Sequence, residues 1–347
     1  MGELLPNLHR QGNPIIDGDA ATFVWQGGSA PALISDLSDW ELNPQSLKQV
    51  ESNLWLHQVQ LPQDAYIEYA FLDQETGERL PDPHNSRSVP NGYGETNNYF
   101  FMPEATPSPL IRRQRGISRG RLTRHNLPVQ ELLAGRQRTV YLYQPPTEEP
   151  CPLVVVFDGQ DYIRRGRFIQ IVDNLIAQKR IRPIALALLY HGGKARLQEY
   201  ACSDTTLGFL DSVVLPQVRR ELNLIDLGET PGGYAVLGAS MGGLMALYTG
   251  LRLPEVFGQV LSQSGAFNLI GFKMVIMDLV RHFPVQPLKV WMDVGRFEGL
   301  LTANQEMYAL LVEKGYQVSY REYPGGHNYT SWRDDIWRGL EYLFETA

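Results

Sequence analysis

An apolar run leads directly into a G-x-S-x-G motif and a set of helix formers in the stretch Tyr234-Ala235-Val236-Leu237-Gly238-Ala239-Ser240-Met241-Gly242-Gly243. This order is typical of a nucleophile elbow, in which a serine stands at the tip of a sharp turn between a strand and a helix. Small residues at Gly238 and Gly242 let the two backbones pass each other. We therefore predict Ser240 as a nucleophile, with the Met241 N–H aimed at the negative charge that forms on an attacked carbonyl. The alternative is a glycine-rich turn that carries no chemistry.

Strand and helix patterns alternate along the chain on both sides of this motif, from about residue 116 onward. The apolar runs Leu153–Phe157 and Ile184–Leu189 are of the kind that is buried on both faces of a parallel sheet. Helical patterns are expected at Phe168–Gln178, Phe209–Leu222, Met241–Leu251, Thr302–Glu313 and Asp334–Phe344. The alternation predicts a mostly parallel sheet with helices on both faces.

A base and an acid for the serine are predicted after the last two strand candidates. The strand candidate 317–323 ends in P-G-G-H, which places His327 on a loop past its carboxyl end. The preceding strand candidate, 288–294, is followed by a turn that contains Glu298, while Asp293 lies within the strand. A carboxylate is needed to hold the imidazole in the right tautomer. We favour Glu298 over Asp293 because a loop side chain reaches across the sheet edge more easily; an idle surface histidine and a surface ion pair remain the alternatives.

The loop after the early central strand, 158–162, is expected to complete the site. Gly159 allows a turn that points the next amide inward, so the Gln160 N–H is the predicted second oxyanion donor beside that of the residue after the serine. Arg164 and Arg165 follow directly and are placed to bind an anionic substrate. The same two arginines would also suit the exposed face of a helix, and the sequence leaves both interpretations open.

The N-terminal part of the chain has a different pattern. Short runs rich in aromatic and β-branched residues predict a β-sandwich between about residues 17 and 102, with strands at Thr22–Trp25, Ala32–Ile34, Leu54–Val59, Tyr66–Leu72 and Asn98–Phe101. Three tryptophans are candidates either for a sugar-stacking platform or for the core: Trp25, Trp40 and Trp55. A proline-rich stretch then predicts a boundary, giving a sandwich domain over 1–105, a linker and lead-in segment over 106–134 and a catalytic domain over 135–347.

Composition excludes several classes of protein. The 347 residues are 43% hydrophobic and 20% charged, with a net charge of -7, which gives no basic surface for nucleic acid or an anionic membrane. The N-terminus lacks the pattern of a secretory signal, and no run approaches a membrane span, so we expect a cytoplasmic location. Cys151 and Cys202 are expected to be reduced and packed. The expected partner is a small-molecule ester, with no metal or organic cofactor, and the sequence does not indicate the oligomeric state.

The catalytic half resembles the enterochelin (ferric-enterobactin) esterase group within the esterase D and feruloyl-esterase-like α/β-hydrolases. The stretches that carry the resemblance are V-F-D-G-Q (156–160), G-A-S-M-G-G (238–243), G-R-F-E (295–298), T-A-N-Q (302–305) and G-G-H-N-Y-T-S-W-R (325–333). More loosely, the N-terminal region resembles the immunoglobulin-like module that precedes the catalytic domain in those esterases. The resemblance implies an α/β hydrolase preceded by an immunoglobulin-like β-sandwich.

The resemblance also implies roles for residues and a class of substrate. It assigns Ser240 as nucleophile, Glu298 as acid and His327 as base in two-step hydrolysis of a carboxylic ester. Arg196 falls in a segment like the family's R-x-x-E, which implies structural or substrate-facing support at the rim of the site. Asn328 departs from the family, which more often has G-G-H-D at this place.

The departure at the histidine loop leaves the choice of ester open. A siderophore ester is the expected substrate, because siderophore esterases accept a bulky anionic iron-catecholate. A feruloyl or acetyl ester of a carbohydrate is the alternative, with the sandwich then serving as a sugar-binding module. A third possibility is a glycan-binding or partner-binding protein without catalytic activity, against which the intact set of serine, acid and histidine counts.

Overall fold

The structure, a computed structural model, describes residues 4–92, 94–269 and 271–346. The chain divides into two compact units. The first comprises Met1–Pro107 together with two short later segments, Gly295–Gly299 and Tyr323–Ser331, and the second comprises Ser108–Val294, Leu300–Glu322 and Trp332–Ala347. The domain boundaries expected at residues 105 and 135, and the immunoglobulin-like character of the first region, stay predictions.

The first unit is built from two antiparallel sheets after one short helix, α1 (Leu4–Gln11). Its strands are β1 (Ile15–Asp17), β2 (Ala20–Gln26), β3 (Ala32–Ser35), β4 (Gln45–Ser46), β5 (Lys48–Glu51), β6 (Leu54–Gln60), β7 (Tyr66–Leu72), β8 (Arg79–Leu80), β9 (Ser88–Pro90) and β10 (Thr96–Phe101). One sheet has the order β1-β2-β6-β5, and the other has the order β4-β3-β7-β10-β9, with β8 paired to β7. The five strands expected from the sequence therefore all lie within strands of these sheets.

The core of the first unit is aromatic and lies between the two sheets. Ile67, Tyr69 and Phe71 alternate along β7 onto this core, as their spacing of two residues requires. Phe23 packs edge-on against Tyr69, with ring centroids 4.9 Å apart. Trp25 packs against the same cluster, 5.0 Å from the ring of Phe71. Core packing thus accounts for this tryptophan, and the opposite face of β7 carries a buried glutamate, Glu68.

Most of an eight-stranded sheet, and most of the helical residues that follow its strands, belong to the second unit. The strands are β11 (Arg121–Pro128), β12 (Gln137–Gln144), β13 (Leu153–Val156), β14 (Ala185–Leu189), β15 (Ala235–Ala239), β16 (Gln259–Gln263), β19 (Lys289–Phe297) and β20 (Gln317–Gly326), while β17 (Asn268–Leu269) and β18 (Phe272–Lys273) form a separate hairpin. The helices are α2 (Gly159–Arg164), α3 (Phe168–Ala177), α4 (Arg196–Tyr200), α5 (Asp204–Phe209), α6 (Leu215–Glu221), α7 (Met241–Arg252), α8 (Ile276–His282), α9 (Leu301–Lys314) and α10 (Tyr329–Phe344).

The order of the large sheet is β11-β12-β14-β13-β15-β16-β19-β20. The pairs from β14 through β13, β15 and β16 to β19 are parallel, whereas β11, β12 and β14 pair antiparallel. The central strands β13, β14 and β15 are buried along their whole length, which explains why their sequences are continuous apolar runs rather than alternating ones. The expectation of a mostly parallel α/β sheet is confirmed.

One expected helix is interrupted. The pattern at Phe209–Leu222 predicts a single helix, but the structure has α5, then a π-helical turn over Leu210–Val214, and then α6. Pro216 lies in the first turn of α6, where the missing N–H removes a hydrogen bond that a continuous α-helix would need. The chain therefore changes its hydrogen-bond spacing just before the proline.

Candidate active site

Ser240 occupies a strained turn between β15 and α7. Its backbone angles are φ 58° and ψ −122°, a region that residues other than glycine seldom adopt. The turn is possible because of the flanking glycines: a Cβ added at Gly238 would lie 2.4 Å from the carbonyl oxygen of Gly242. This is the sharp strand-to-helix turn that the motif predicts, and the role of Ser240 as a nucleophile stays a prediction.

Hydrogen bonds to the next strand hold the elbow in its strained form. The Ser240 N–H donates to the Gln263 carbonyl at 2.8 Å, and the Ala266 N–H donates to the Ser240 carbonyl at 3.1 Å. Gly243, the residue after the motif, is also constrained, since a Cβ there would lie 2.8 Å from Ser262 Oγ. These contacts hold the serine in its strained conformation, as a strained backbone requires in order to persist.

His327 and Glu298 are brought together in the first unit. His327 Nδ1 and Glu298 Oε2 are hydrogen-bonded to each other. The other carboxylate oxygen, Oε1, accepts the Gly295 N–H at 2.5 Å. The Glu298 side chain is only 2% exposed, whereas that of His327 is 32% exposed. A buried carboxylate that is hydrogen-bonded to Nδ1 fixes the orientation of the imidazole ring.

Asp293, the alternative acid, has different partners. It is fully buried in the second unit. Its Oδ2 accepts the indole N–H of Trp291 at 2.8 Å, and the side-chain amide of Gln263 donates to the carboxylate at 3.3 Å. The geometry therefore favours Glu298 as the residue that orients the histidine.

The loop that carries Gln160 is held by a residue that the sequence analysis overlooked. Asp158 adopts the left-handed conformation, with φ 54° and ψ 38°, at the start of α2. We expected Gly159 to provide this backbone freedom, and that expectation is wrong. Gly159 is required for another reason, because a Cβ there would lie 2.5 Å from the carbonyl carbon of Leu188 in β14. The aspartate of V-F-D-G-Q was the available signal, since aspartate tolerates the left-handed region better than most residues.

Arg196 binds this loop. Its guanidinium makes a two-pronged ion pair with Asp158, from Nε to Oδ1 at 2.8 Å and from Nη2 to Oδ2 at 2.6 Å. Asp158 is 1% exposed, so the pair is largely shielded from water on the carboxylate side. The Arg196 guanidinium also lies over the ring of Tyr200, 5.3 Å from its centroid. Of the two roles open to Arg196, these contacts favour structural support.

Arg164 and Arg165 differ in exposure. Arg164 is exposed at the end of α2. Arg165 is partly buried and forms an ion pair with Asp161, with Nη1 3.6 Å from Oδ1. Burial, reinforced by the nearby charge of Asp158, raises the pKa of Asp161, although the Arg165 charge opposes this shift. Arg164 is therefore the better placed of the two to meet an anionic ligand.

Two further findings concern the described ranges as a whole. Within residues 4–92, 94–269 and 271–346, no helix is both long and apolar enough to cross a membrane. Over the same ranges, His, Cys, Asp and Glu side chains form no cluster of three or more suited to a metal ion.

Comparisons with known proteins agree with the architecture. A family model named Esterase matches residues 132–343. The chain is 25% identical to an iron(III) enterobactin esterase of Escherichia coli, over 90% of this chain and 85% of that protein. It is 31% identical to an iron(III) enterobactin esterase of Dickeya dadantii over 60% of this chain, a match that spans about half (52%) of that relative. The crystal structure of a ferric enterobactin esterase from Salmonella typhimurium has a TM-score of 0.77 at 24% identity, covering 93% of both chains, and this likeness concerns the fold.

Proposed function

The chain belongs to the Esterase family and is a carboxylic ester hydrolase of the enterochelin-esterase-like kind, and on that premise we propose that it cleaves a siderophore ester with a Ser-His-Glu triad. The observation that carries the proposal is the contact between the Glu298 carboxylate and the imidazole of His327. A carboxylate at Nδ1 keeps Nε2 free of its proton, which is the state a general base needs.

Ser240 is the proposed nucleophile of this triad. Its place at the tip of the elbow between β15 and α7 supports the assignment. The order along the chain is serine, acid, histidine, as in other α/β hydrolases. Each of the three follows or ends a strand of the same sheet, namely β15, β19 and β20. In the proposed first step, His327 takes the Ser240 proton while the hydroxyl attacks the ester carbonyl.

The amides of Met241 and Gln160 are the proposed oxyanion donors. Both belong to the first turn of a helix, α7 and α2, where N–H groups have no acceptor within the helix. They stabilise the negative charge of the tetrahedral intermediate. His327 then donates its proton to the departing alcohol, and water hydrolyses the acyl-enzyme by the same sequence of steps.

A siderophore ester is the proposed substrate because the similar Escherichia coli protein is named an iron(III) enterobactin esterase. The experiment that tests this proposal is a hydrolysis panel with three substrates: ferric enterobactin, a feruloylated sugar and p-nitrophenyl acetate. We expect the highest kcat/KM for the iron-catecholate. A preference for the feruloylated sugar would overturn the siderophore assignment and favour a carbohydrate esterase. Absence of cleavage of all three would contradict the proposed activity itself.

The exposed charge of Arg164 is expected to contribute to the recognition of an anionic substrate. Arg164→Gln should raise KM for ferric enterobactin by about 5- to 10-fold, on the order of 1 kcal/mol for a partly screened ion pair. It should leave KM for uncharged p-nitrophenyl acetate unchanged. The measurement is a comparison of Michaelis curves for both substrates, with Arg252→Gln, another partly exposed arginine, as the control. Equal changes for the charged and uncharged esters would contradict this role.

Arg196 is expected to act on kcat rather than on KM. Arg196→Gln removes the two-pronged partner of the buried Asp158 and should loosen the loop that carries Gln160. We expect kcat to fall by about 10- to 100-fold, since small displacements of donor groups have effects of this size. KM for p-nitrophenyl acetate should stay within about twofold if the residue makes no substrate contact. A raised KM at unchanged kcat would instead indicate that Arg196 faces the substrate.

A further inference from the structure

A buried carboxylate in the first unit is not used by the proposed mechanism. Asp36 begins a 3₁₀ turn after β3, where the Ser35 side chain accepts the Leu37 N–H at 3.2 Å. The turn brings Asp36 next to β7, the strand that pairs with β3. There its Oδ2 accepts the Glu68 N–H at 2.8 Å, and the residue is 3% exposed. Removing a carboxyl group from water is unfavourable in free energy, so the burial of Asp36 calls for a structural or functional reason.

Asp36 contacts the histidine loop on both sides of His327. On one side, a Cβ added at Gly326 would lie 2.1 Å from Asp36 Cγ and 2.2 Å from Oδ1, so the carboxyl group packs directly on the backbone there. On the other side, the Asn328 side-chain amide donates to Asp36 Oδ2 at 3.1 Å. The residue between these two contacts is the one that Glu298 orients.

We propose that Asp36, a residue of the N-terminal sandwich, is a positioning residue for His327, acting through Gly326 and Asn328. The inference rests on the proposed function, in which His327 is the general base. It means that the sandwich supports the proposed general base, a role other than that of a sugar-binding module. The Asp36 carboxyl group fixes the position of the backbone on both sides of His327. Glu298 then fixes the rotation of the imidazole ring.

Asn328 is suited to this arrangement in a way that aspartate is not. Its Oδ1 accepts the Ser331 N–H at 2.9 Å in the first turn of α10, while its Nδ2 donates to Asp36. A side-chain amide has both an acceptor oxygen and a donor NH₂ group, whereas an ionised carboxylate only accepts. An aspartate at position 328 would still accept the Ser331 N–H, but an ionised carboxylate has no N–H to donate to Asp36 Oδ2. The departure from G-G-H-D is therefore matched to the aspartate that faces it.

Burial and neighbouring carboxylates oppose a negative charge on Asp36. Burial raises the pKa of Asp36 well above its usual value, and the charges of Glu68 and Glu298 raise it further. Two hydrogen bonds oppose this shift, from the Glu68 N–H and the Asn328 amide. Among the described residues, Oδ1 has no hydrogen-bond partner and is the atom on which a proton would sit. Asparagine keeps an acceptor oxygen for the Glu68 N–H and the Asn328 amide and carries no charge.

These contacts define a test with three variants. Asp36→Ala should lower kcat by roughly 100-fold with KM within about twofold, because a shift of the base by about an ångström has an effect of this size. Asp36→Asn should stay within about threefold of wild type, since the acceptor is retained. Asn328→Ala should lower kcat about as much as Asp36→Ala does. The double variant Asp36→Ala/Asn328→Ala should lose little more kcat than either single variant, because the two residues act through the same contact.

Asp82→Ala is the matched control in the same unit. Asp82 is also buried, and it accepts the Tyr69 hydroxyl at 2.6 Å and the Asn13 amide at 2.8 Å. The Asp82→Ala substitution is expected to lower the melting temperature as much as Asp36→Ala does and to leave kcat unchanged. Equal losses of kcat in the two alanine variants would overturn the proposal, because the effect would then be general destabilisation. A loss in Asp36→Asn as large as in Asp36→Ala would also overturn it.

A readout without substrate separates this inference from the proposed function. The proton between His327 Nδ1 and Glu298 is expected to give a strongly downfield NMR resonance in wild type. The resonance should persist in Asp36→Asn and Asp82→Ala and broaden or shift in Asp36→Ala. If no ester is cleaved, the proposed function fails, but the resonance still tests the positioning contact. An unchanged resonance in Asp36→Ala would overturn the inference even if the wild type is an active esterase.

Discussion

Ser240→Ala is expected to lower kcat for ester hydrolysis by about 10⁴- to 10⁶-fold, the range found when the nucleophile of a serine hydrolase is removed. The reason is that alanine has no hydroxyl to form the acyl-enzyme, so only binding and the oxyanion donors remain. The backbone of the elbow should be kept, because its close glycine contacts do not involve the serine side chain. The measurement is kcat with p-nitrophenyl acetate, together with covalent labelling by a fluorophosphonate probe.

The control for this prediction is Ser212→Ala. Ser212 lies exposed in the π-helical turn, where its hydroxyl donates only to the Gly208 carbonyl, at 2.5 Å. This variant should keep its activity and its labelling. Residual activity of Ser240→Ala above about one hundredth of wild type would contradict the proposed acyl-enzyme mechanism. Labelling at a different serine would contradict the assignment of the nucleophile.

The strands and helices that could be predicted are those whose buried residues form a regular pattern of hydrophobic residues in the sequence. β7 was located to the residue because alternate side chains enter the aromatic core, and β13 and β14 were found because both of their faces are buried. β11, with the sequence R-L-T-R-H-N-L-P, was not predicted. It lies at the edge of the sheet with most of its residues exposed or partly exposed, so its pairing with β12 leaves no hydrophobic signature.

The parts of the site that could be predicted are those with local constraints. The elbow at Ser240 needs glycines at set spacings, and these can be recognised in one short motif. Asp36 could not be predicted, because its partner Asn328 is 292 residues away and the contact depends on how the sandwich is built. The role of Asp158 also depends on a distant residue, Arg196, although Asp158 itself lies in the predicted loop 158–162. Long-range polar contacts of this kind have no period and no fixed spacing.

Glu298→Gln is expected to lower kcat by about 10³- to 10⁴-fold, because the wrong tautomer of the histidine would be held. The local contacts determine which way the new amide turns. Glu298 Oε1 accepts the Gly295 N–H at 2.5 Å, so the oxygen of the glutamine will stay there and its NH₂ group will face His327 Nδ1. A donor at that place makes Nδ1 an acceptor and leaves the proton on Nε2. His327 then cannot accept a proton from the serine. The measurement is kcat at saturating substrate concentration, and circular dichroism checks that the variant is folded.

Asp293→Asn separates Glu298 from the alternative acid. Asp293 is fully buried, and the asparagine keeps an oxygen for the indole N–H of Trp291. We expect this variant to lose about 1–3 kcal/mol in the free energy of unfolding, the cost of a disturbed buried hydrogen-bond group, and to retain most of its kcat. If Asp293→Asn proves more harmful to kcat than Glu298→Gln, the acid role passes to Asp293. In that case the contact between Glu298 and His327 would be a structural ion pair, and the base would be oriented from the strand rather than from the loop.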